Sequence, residues 1–428
     1  MPDHELTELG SGLRVVTERM SSVRSAALGL FVATGSRFES EAEAGLSHFL
    51  EHLLFRGTAR YGSSEIDELF DSWGAELNAG TDKESTTVFA RMLDQHLPRA
   101  FDVMADMVWR PAIEDVDAER AVVLEEIAMY EDDPQDSVFD VLGAAVFGDH
   151  PLGRGIIGRA PVIRDTTREQ IRGFHARRYV PSSVVVAAAG SVDHDAIVEL
   201  AERTLGSLRA GESAPAPEPA PARPTPRISF QVKDTEQVHV CLGGIGISRH
   251  DERRFAARVL DAIFGGLSSS RLFQAVREER GLAYSVYSFS GQYSDSGQIG
   301  IYLGTRPDNL GEAMHVVAGE LDRLRRAPVT EEELARARDN VKARIVLAME
   351  SSSARMHRLG SALMFDMPLL ELDTVMARID AVSADDLQAL VEELWVSTRL
   401  SAAGIGPDED AFRAAVGEVC PAAQPSAA

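Results

Sequence analysis

Between positions 211 and 226 the chain reads GESAPAPEPAPARPTP, with six prolines in sixteen residues. Each proline locks φ and removes a backbone donor, so neither a helix nor a strand ladder runs comfortably through this stretch. The composition favours an extended connector, at ~3.1 Å per residue up to about 50 Å long. It cuts the 428 residues into two stretches of nearly equal length, 1–210 and 227–428. Each is long enough to bury its own core. The alternative is a long surface loop within one domain.

The two halves repeat a pattern. Strand-like runs at 13–18 and 25–34 precede a helical run at 43–56 that ends at Gly57. In the second half, runs at 227–232 and 237–247 precede a helical run at 252–263 that ends at Gly265. Glycine just past a periodic run is a C-cap signal. β-Rich stretches at 85–92 and 297–305 are each followed by an amphipathic helix, at 116–130 and 331–350. The expectation is an α+β protein of two similar domains, each a mainly antiparallel sheet packed with helices, joined by the Pro/Ala-rich linker.

Hydrophobic residues make up 44% of the chain and charged residues 26%, values of a globular protein rather than a disordered one. The formal net charge is −24. Such a surface repels nucleic-acid backbones and anionic membranes and attracts cationic substrates. Two cysteines, Cys241 and Cys420, exclude a disulfide scaffold and a Cys-rich zinc site. The opening residues carry neither a basic nor an apolar signal region, and no apolar run is long enough to span a bilayer. These features lead to the expectation of a cytoplasmic protein.

The chemistry concentrates in 45–55, GLSHFLEHLLF. His48 and His52 are four apart on an expected helix, which puts both imidazoles on one face, close enough to converge on one zinc ion. Glu51 shares that face. Metal-assisted hydrolysis needs an ion that lowers the pKa of a water and a carboxylate that takes the proton. With 11 His and 67 acidic residues in 428 positions, chance supplies roughly 0.04 copies of the H-x-x-[DE]-H pattern. The flanking Phe49, Leu50, Leu53, Leu54 and Phe55 make the helix mostly buried, and burying two histidines and an acid without partners is costly. A third protein ligand is required. The helical stretch 117–127 offers Glu119 and Glu126, two turns apart on one face, with Glu125 about 100° away. One of the pair can ligate and the other orient a ligand; a solvated Glu-rich face is the alternative.

The run His48-Phe49-Leu50-Glu51-His52, followed some seventy residues later by ERAVVLEE at 119–126, resembles the inverted-zincin metallopeptidases of the pitrilysin superfamily. It is most similar to the branch holding the catalytic β subunit of the mitochondrial processing peptidase and its small bacterial relatives. The resemblance spans essentially the whole chain, including HFLEHLLFRGT at 48–58, Leu77-Asn78-Ala79 and SSRLF at 269–273. It implies one Zn2+ per chain held by His48, His52 and Glu126, with Glu51 as general base and Glu119 as supporting carboxylate. It further implies an edge strand whose backbone near Asn78 and Ala79 pairs with an extended peptide, and an aromatic pocket wall at Phe55. Asp136 and Asp140 match acidic positions that receive a substrate arginine near the cut site; at i, i+4 they repel each other, and a cation relieves that. The alternative is a solvated acidic patch.

The second half has no H-x-x-E-H. Arg277 and Tyr284 resemble the family's paired arginine and tyrosine, which hold the substrate backbone and stabilise developing negative charge. Relatives with two such halves fused are about twice as long. The implied assembly is therefore a homodimer enclosing an acidic chamber for unfolded or short peptides, with Arg277 and Tyr284 acting within their own subunit or on the partner's site. A heterodimer with a homologue is the other arrangement. The resulting function is that of a zinc-dependent endopeptidase or oligopeptidase. A non-catalytic scaffold subunit of a processing-peptidase-like complex is the competing reading, and such subunits commonly carry broken zinc motifs.

Overall fold

The computed structural model describes residues 4–205, 217–223 and 225–425. Of the expected connector 211–226, residues 211–216 and 224 lie outside the described residues.

The first sheet contains β1 (His4–Glu8), β2 (Arg14–Arg19), β3 (Ser25–Val32), β4 (Glu76–Thr81), β5 (Thr86–Leu93) and β6 (Val184–Gly190), in the order β1-β2-β6-β3-β5-β4. Every pairing except the parallel β2·β6 is antiparallel. The second sheet contains β7 (Arg227–Val232), β8 (Val238–Gly246), β9 (Ala283–Gln292), β10 (Gly297–Thr305), β11 (Ser401–Gly406) and β12 (Gln424–Pro425), in the order β12-β7-β11-β8-β10-β9. Its β7 is parallel to β11 and β12, and the remaining pairings are antiparallel. Five strands thus recur in one topology, β2-β6-β3-β5-β4 matching β7-β11-β8-β10-β9. The repeat expected from the sequence is present in the strand order, and the α+β class holds.

Four helices carry the site residues or cover the sheets behind them: α1 (Leu46–Leu54), α2 (Val116–Asp132), α3 (Pro134–Phe147) and α4 (Ser352–Met364). β6 is buried at every residue and β3 at all but its first, the pattern of strands covered on both faces. One face of the first sheet carries Leu13, Val15, Leu28 and Leu30 into a core shared with Phe49, Leu50 and Leu53 of α1. The opposite face, with Val16, Ala27, Phe31 and Val185, packs against Met356, Leu359 and Met364 of α4. Gly360 is needed there, because a Cβ would sit 2.1 Å from the Phe31 ring. In the second sheet, Cys241, Tyr302, Ala403 and Ile405 pack against Val138, Val141, Leu142 and Val146 of α3.

The two compact units are therefore not the contiguous stretches 1–210 and 227–428. Ala128–Arg154 belongs to the unit of the second sheet, and Val346–Glu371 to that of the first. The physical reason is that each sheet has two apolar faces. Helices from its own half of the chain cover one, and a helix from the other half covers the second.

Candidate metal centre

α1 begins at Gly45, which has φ +100°. A Cβ there would lie 2.8 Å from the Gly158 Cα, so two backbones touch where side chains do not fit. Gly45 offers no side-chain cap. Instead the buried Glu39 carboxylate accepts the Gly45 N–H (2.8 Å) and the Ser47 N–H (2.7 Å). Two orphan donors are satisfied, and a negative charge faces the positive end of the helix dipole. Leu46, Phe49, Leu50, Leu53 and Leu54 are buried and fix the rotation of α1, so that His48, Glu51 and His52 share the half-exposed side.

α2 is oriented in the same way. Val123 and Ile127 enter the core, Glu119 is 3% exposed, Glu126 is half-buried and Glu125 faces solvent. The two helices bring His48 Nε2 to 3.6 Å from Glu126 Oε1, and His52 Nε2 to 3.2 Å from Glu126 Oε2. The imidazole rings lie 4.7 Å apart between centroids. One ligand atom from each of His48, His52 and Glu126 falls within 4.8 Å of the others, and among the described residues this is the group with a metal-holding geometry.

The donor set fits a zinc ion. It comprises two imidazole nitrogens and one carboxylate oxygen, three protein ligands that leave a fourth position open. His52 Nδ1 lies 2.8 Å from Glu119 Oε1, and the other Glu119 oxygen is bonded by Arg56 Nε. A proton on Nδ1 shared with Glu119 leaves the Nε2 lone pair directed at the cluster. Burial, reinforced by neighbouring His52, lowers the His48 pKa to about 4, which favours the neutral ring. Its Nδ1 is buried without a hydrogen-bond partner.

Glu51 does not belong to the ligand triplet. Its Oε2 accepts the Thr81 hydroxyl at 2.5 Å. Burial raises its pKa, opposed by the Thr81 bond and by His52 and helped by Glu126. A carboxyl poised above the usual range is suited to taking and returning a proton. Neither Thr81 nor Arg56 stands out in the sequence as a site residue. Their only signal is proximity in sequence to motifs, Thr81 two residues past Asn78-Ala79 and Arg56 one turn past His52.

The substrate-side candidates are placed as follows. β4 is an edge strand, paired to β5 with Asn78 opposite Phe89 and Ala79 opposite Val88. The Ala79 N–H is bonded by the Asn78 side-chain oxygen at 2.8 Å. Phe55 caps the C-terminus of α1 and packs, half-buried, against the first core. Asp136 lies in the first turn of α3, where the helix dipole favours a carboxylate. Asp140 is hydrogen-bonded by the Tyr130 hydroxyl, whose own pKa is pushed up by burial first and by Asp140 and Asp136 after it. The mutual repulsion of these two acids is thus partly answered within the protein itself.

Arg277 sits in a single π-helical stretch, Phe273–Glu278, a geometry common at functional positions. Its guanidinium carbon lies over the Phe273 ring at 4.7 Å and over the Tyr284 ring at 4.6 Å from the centroids. Tyr284 is 76% exposed. The two residues paired by sequence are therefore in contact.

Residues 14–160 match the family model described as Insulinase (Peptidase family M16), and residues 165–341 match the Peptidase M16 inactive domain. A protein of Streptomyces coelicolor named as an uncharacterized zinc protease is 42% identical over 413 residues, covering 94% of this chain and 90% of the relative. A Bacillus subtilis protein with the same description is 37% identical, covering 90% of this chain and 94% of the relative. The crystal structure of a protease from Helicobacter pylori superimposes with a TM-score of 0.90 at 24% identity, covering 95% of this chain and all of that one. The crystal structure of a peptidase M16 inactive domain from Pseudomonas fluorescens gives 0.86, also at 24% identity, over 95% and 98%.

Proposed function

The chain belongs to peptidase family M16 and is a zinc metalloprotease, and from that premise we propose how its residues divide the work. His48, His52 and Glu126 hold the ion, and Glu51 is the general base. The observation that carries this reading is the convergence of those three ligand atoms within 4.8 Å, with Glu51 beside them and outside the triplet. Zinc, when bound, supplies Lewis acidity toward water and the scissile carbonyl.

Glu51 takes the proton of the attacking water and returns it to the leaving amine. Glu119 holds His52 in the tautomer that presents Nε2. The exposed edge of β4 at Asn78 and Ala79 aligns an extended peptide by main-chain hydrogen bonds, which suits substrates of varied sequence. Phe55 walls a pocket for a side chain beyond the cut. Asp136 and Asp140 receive a basic side chain near it. Arg277 and Tyr284 grip the peptide backbone and stabilise negative charge developing on the carbonyl oxygen.

The substrates on this reading are unfolded or short peptides enclosed in an acidic chamber. The working form is a cytoplasmic homodimer, for which a solution mass of twice the 46.4 kDa chain is the check. Among the described residues no helix is long and apolar enough to cross a membrane.

Turnover of internally quenched peptides tests the assignment. Peptides with arginine near the cleavable bond are cut faster than their Arg→Ala counterparts, a chelator abolishes both rates, and added zinc restores them. The Glu51→Gln enzyme falls by 10²-fold or more, as loss of a general base requires. Full activity of Glu51→Gln, or of the stripped enzyme, contradicts the proposal. Equal cutting of both peptides removes the acidic pocket from it.

A further inference from the structure

β4 does more than present an edge. Its side chains alternate, with Leu77, Ala79 and Thr81 half-buried on one face and Glu76, Asn78 and Gly80 exposed on the other. The half-buried face is the one beside α1, and from it the Thr81 hydroxyl reaches Glu51. β4 is itself held firmly. Thr81 pairs with Thr86 of β5, and the Thr86 hydroxyl donates to the Thr34 carbonyl at 3.0 Å.

A carboxylate on a half-exposed helix face has three side-chain torsions to settle, and α1 restrains only its Cα. The apolar contacts that orient α1 leave those torsions open, since they belong to Leu46, Phe49, Leu50, Leu53 and Leu54. The hydroxyl of Thr81 closes the gap. By donating to Oε2 it fixes one Glu51 oxygen and leaves Oε1 to exchange the proton. A donor on a strand paired along its length is more rigid than one on a loop.

We propose that Thr81 is a positioning residue for catalysis, which holds the Glu51 carboxylate from the same strand that aligns the substrate. The inference rests on the reading of Glu51 as general base. Its geometric content is register. Thr81 follows Ala79 by one two-residue repeat, about 7 Å along the strand, so a peptide paired at Ala79 is measured off against the base by the strand they share. Displacement of a catalytic group by about 1 Å costs up to 10²-fold in rate. A side chain that sets that distance therefore acts on turnover rather than on binding.

The test is steady-state kinetics on Thr81→Val, Thr81→Ser, Glu51→Gln and the Thr81→Val/Glu51→Gln pair, with zinc content and melting temperature measured for each. Valine keeps the β-branched shape of the strand residue and deletes only the donor. The expected result for Thr81→Val is a kcat about tenfold lower, with KM within about twofold and one zinc per chain retained. Thr81→Ser, which keeps the hydroxyl, recovers most of kcat. In the Glu51→Gln background Thr81→Val costs nothing further, because its effect runs through a carboxylate no longer there.

Three results overturn the proposal: Thr81→Val turning over like wild type, Thr81→Val slowing the Glu51→Gln enzyme by the same factor, or serine behaving like valine. If Glu51→Gln is itself fully active, the reading of Glu51 fails and carries this one with it. If Glu51→Gln is inactive while Thr81→Val is unimpaired, only the role of Thr81 falls.

Discussion

In the proposed centre, the orientation of His52 depends on Glu119. This carboxylate is 3% exposed, one oxygen on His52 Nδ1 and the other on Arg56 Nε. A glutamine there keeps the shape but gives up the charge that draws the Nδ1 proton, so His52 loses its fixed orientation. Glu119→Gln is expected to weaken zinc binding by about 10–100-fold, read by competition with a chromophoric chelator. Glu125→Gln, on the same helix but facing solvent, leaves the affinity within about twofold. Equal affinities for the two variants contradict the assignment. His48, Glu51 and His52 are legible in the sequence because one helical turn brings them together and nothing distant is needed. Glu119 and Glu126 show as a two-turn period, and their selection over Glu125 follows from which face is buried. Arg56 and Thr81 are not legible in this way. Their partners lie 63 and 30 residues away, and only the packing of α2 and β4 against α1 makes the contacts.

Most strands and helices fall where apolar spacing and glycine stops put them. β7 at Arg227–Val232 and β10 at Gly297–Thr305 coincide with their expected bounds, and α1 is shorter than the expected run 43–56, starting after Gly45, where the Glu39 carboxylate accepts the Gly45 and Ser47 N–H groups. The exchange of α3 and α4 between the units is the part the sequence conceals. Continuous apolar runs such as Val184–Gly190 announce a strand covered on both faces, but an apolar helix face carries no label for the sheet it covers. One pair reads differently once its elements are in place. Arg271, in the SSRLF stretch, sends Nε and Nη2 to the two Glu333 oxygens at 2.8 and 2.9 Å, tying it to the first turn of the helix Glu331–Ala348. This bond, more than any other contact, holds the Glu333 carboxyl at about 2 against an ordinary 4.5. A carboxyl depressed on folding stabilises above its unfolded pKa, so the contribution is complete above pH 4.5 and disappears as pH falls toward 2. Arg271→Ala should cost about 3 kcal/mol at pH 7 and show a shallower loss of stability between pH 4.5 and 2, measured by denaturant unfolding across that range. The same acid limb in both proteins contradicts a stabilising role for the pair.

The chain carries one strand order twice and one metal-holding group among its described residues. The second copy of the strand order carries the fold without an H-x-x-E-H. On the proposed reading, the net charge of −24 draws cationic peptides toward the molecule, an attraction that weakens as salt is raised. Its family and class were legible from the motif together with the doubled pattern, whereas the composition of each unit was not, because a linker marks where the chain is extended and not which segments pack together. On the proposed reading, the activity turns on a division of labour between His48, His52 and Glu126 as ligands and Glu51 as base. Zinc stoichiometry of the purified variants measures it most directly. Wild type and Glu51→Gln should each hold one zinc per chain, with Glu51→Gln slowed 10²-fold or more, while His48→Ala and Glu126→Gln should lose the ion together with activity. Glu51→Gln emptied of metal, or Glu126→Gln retaining a full complement, would contradict the account.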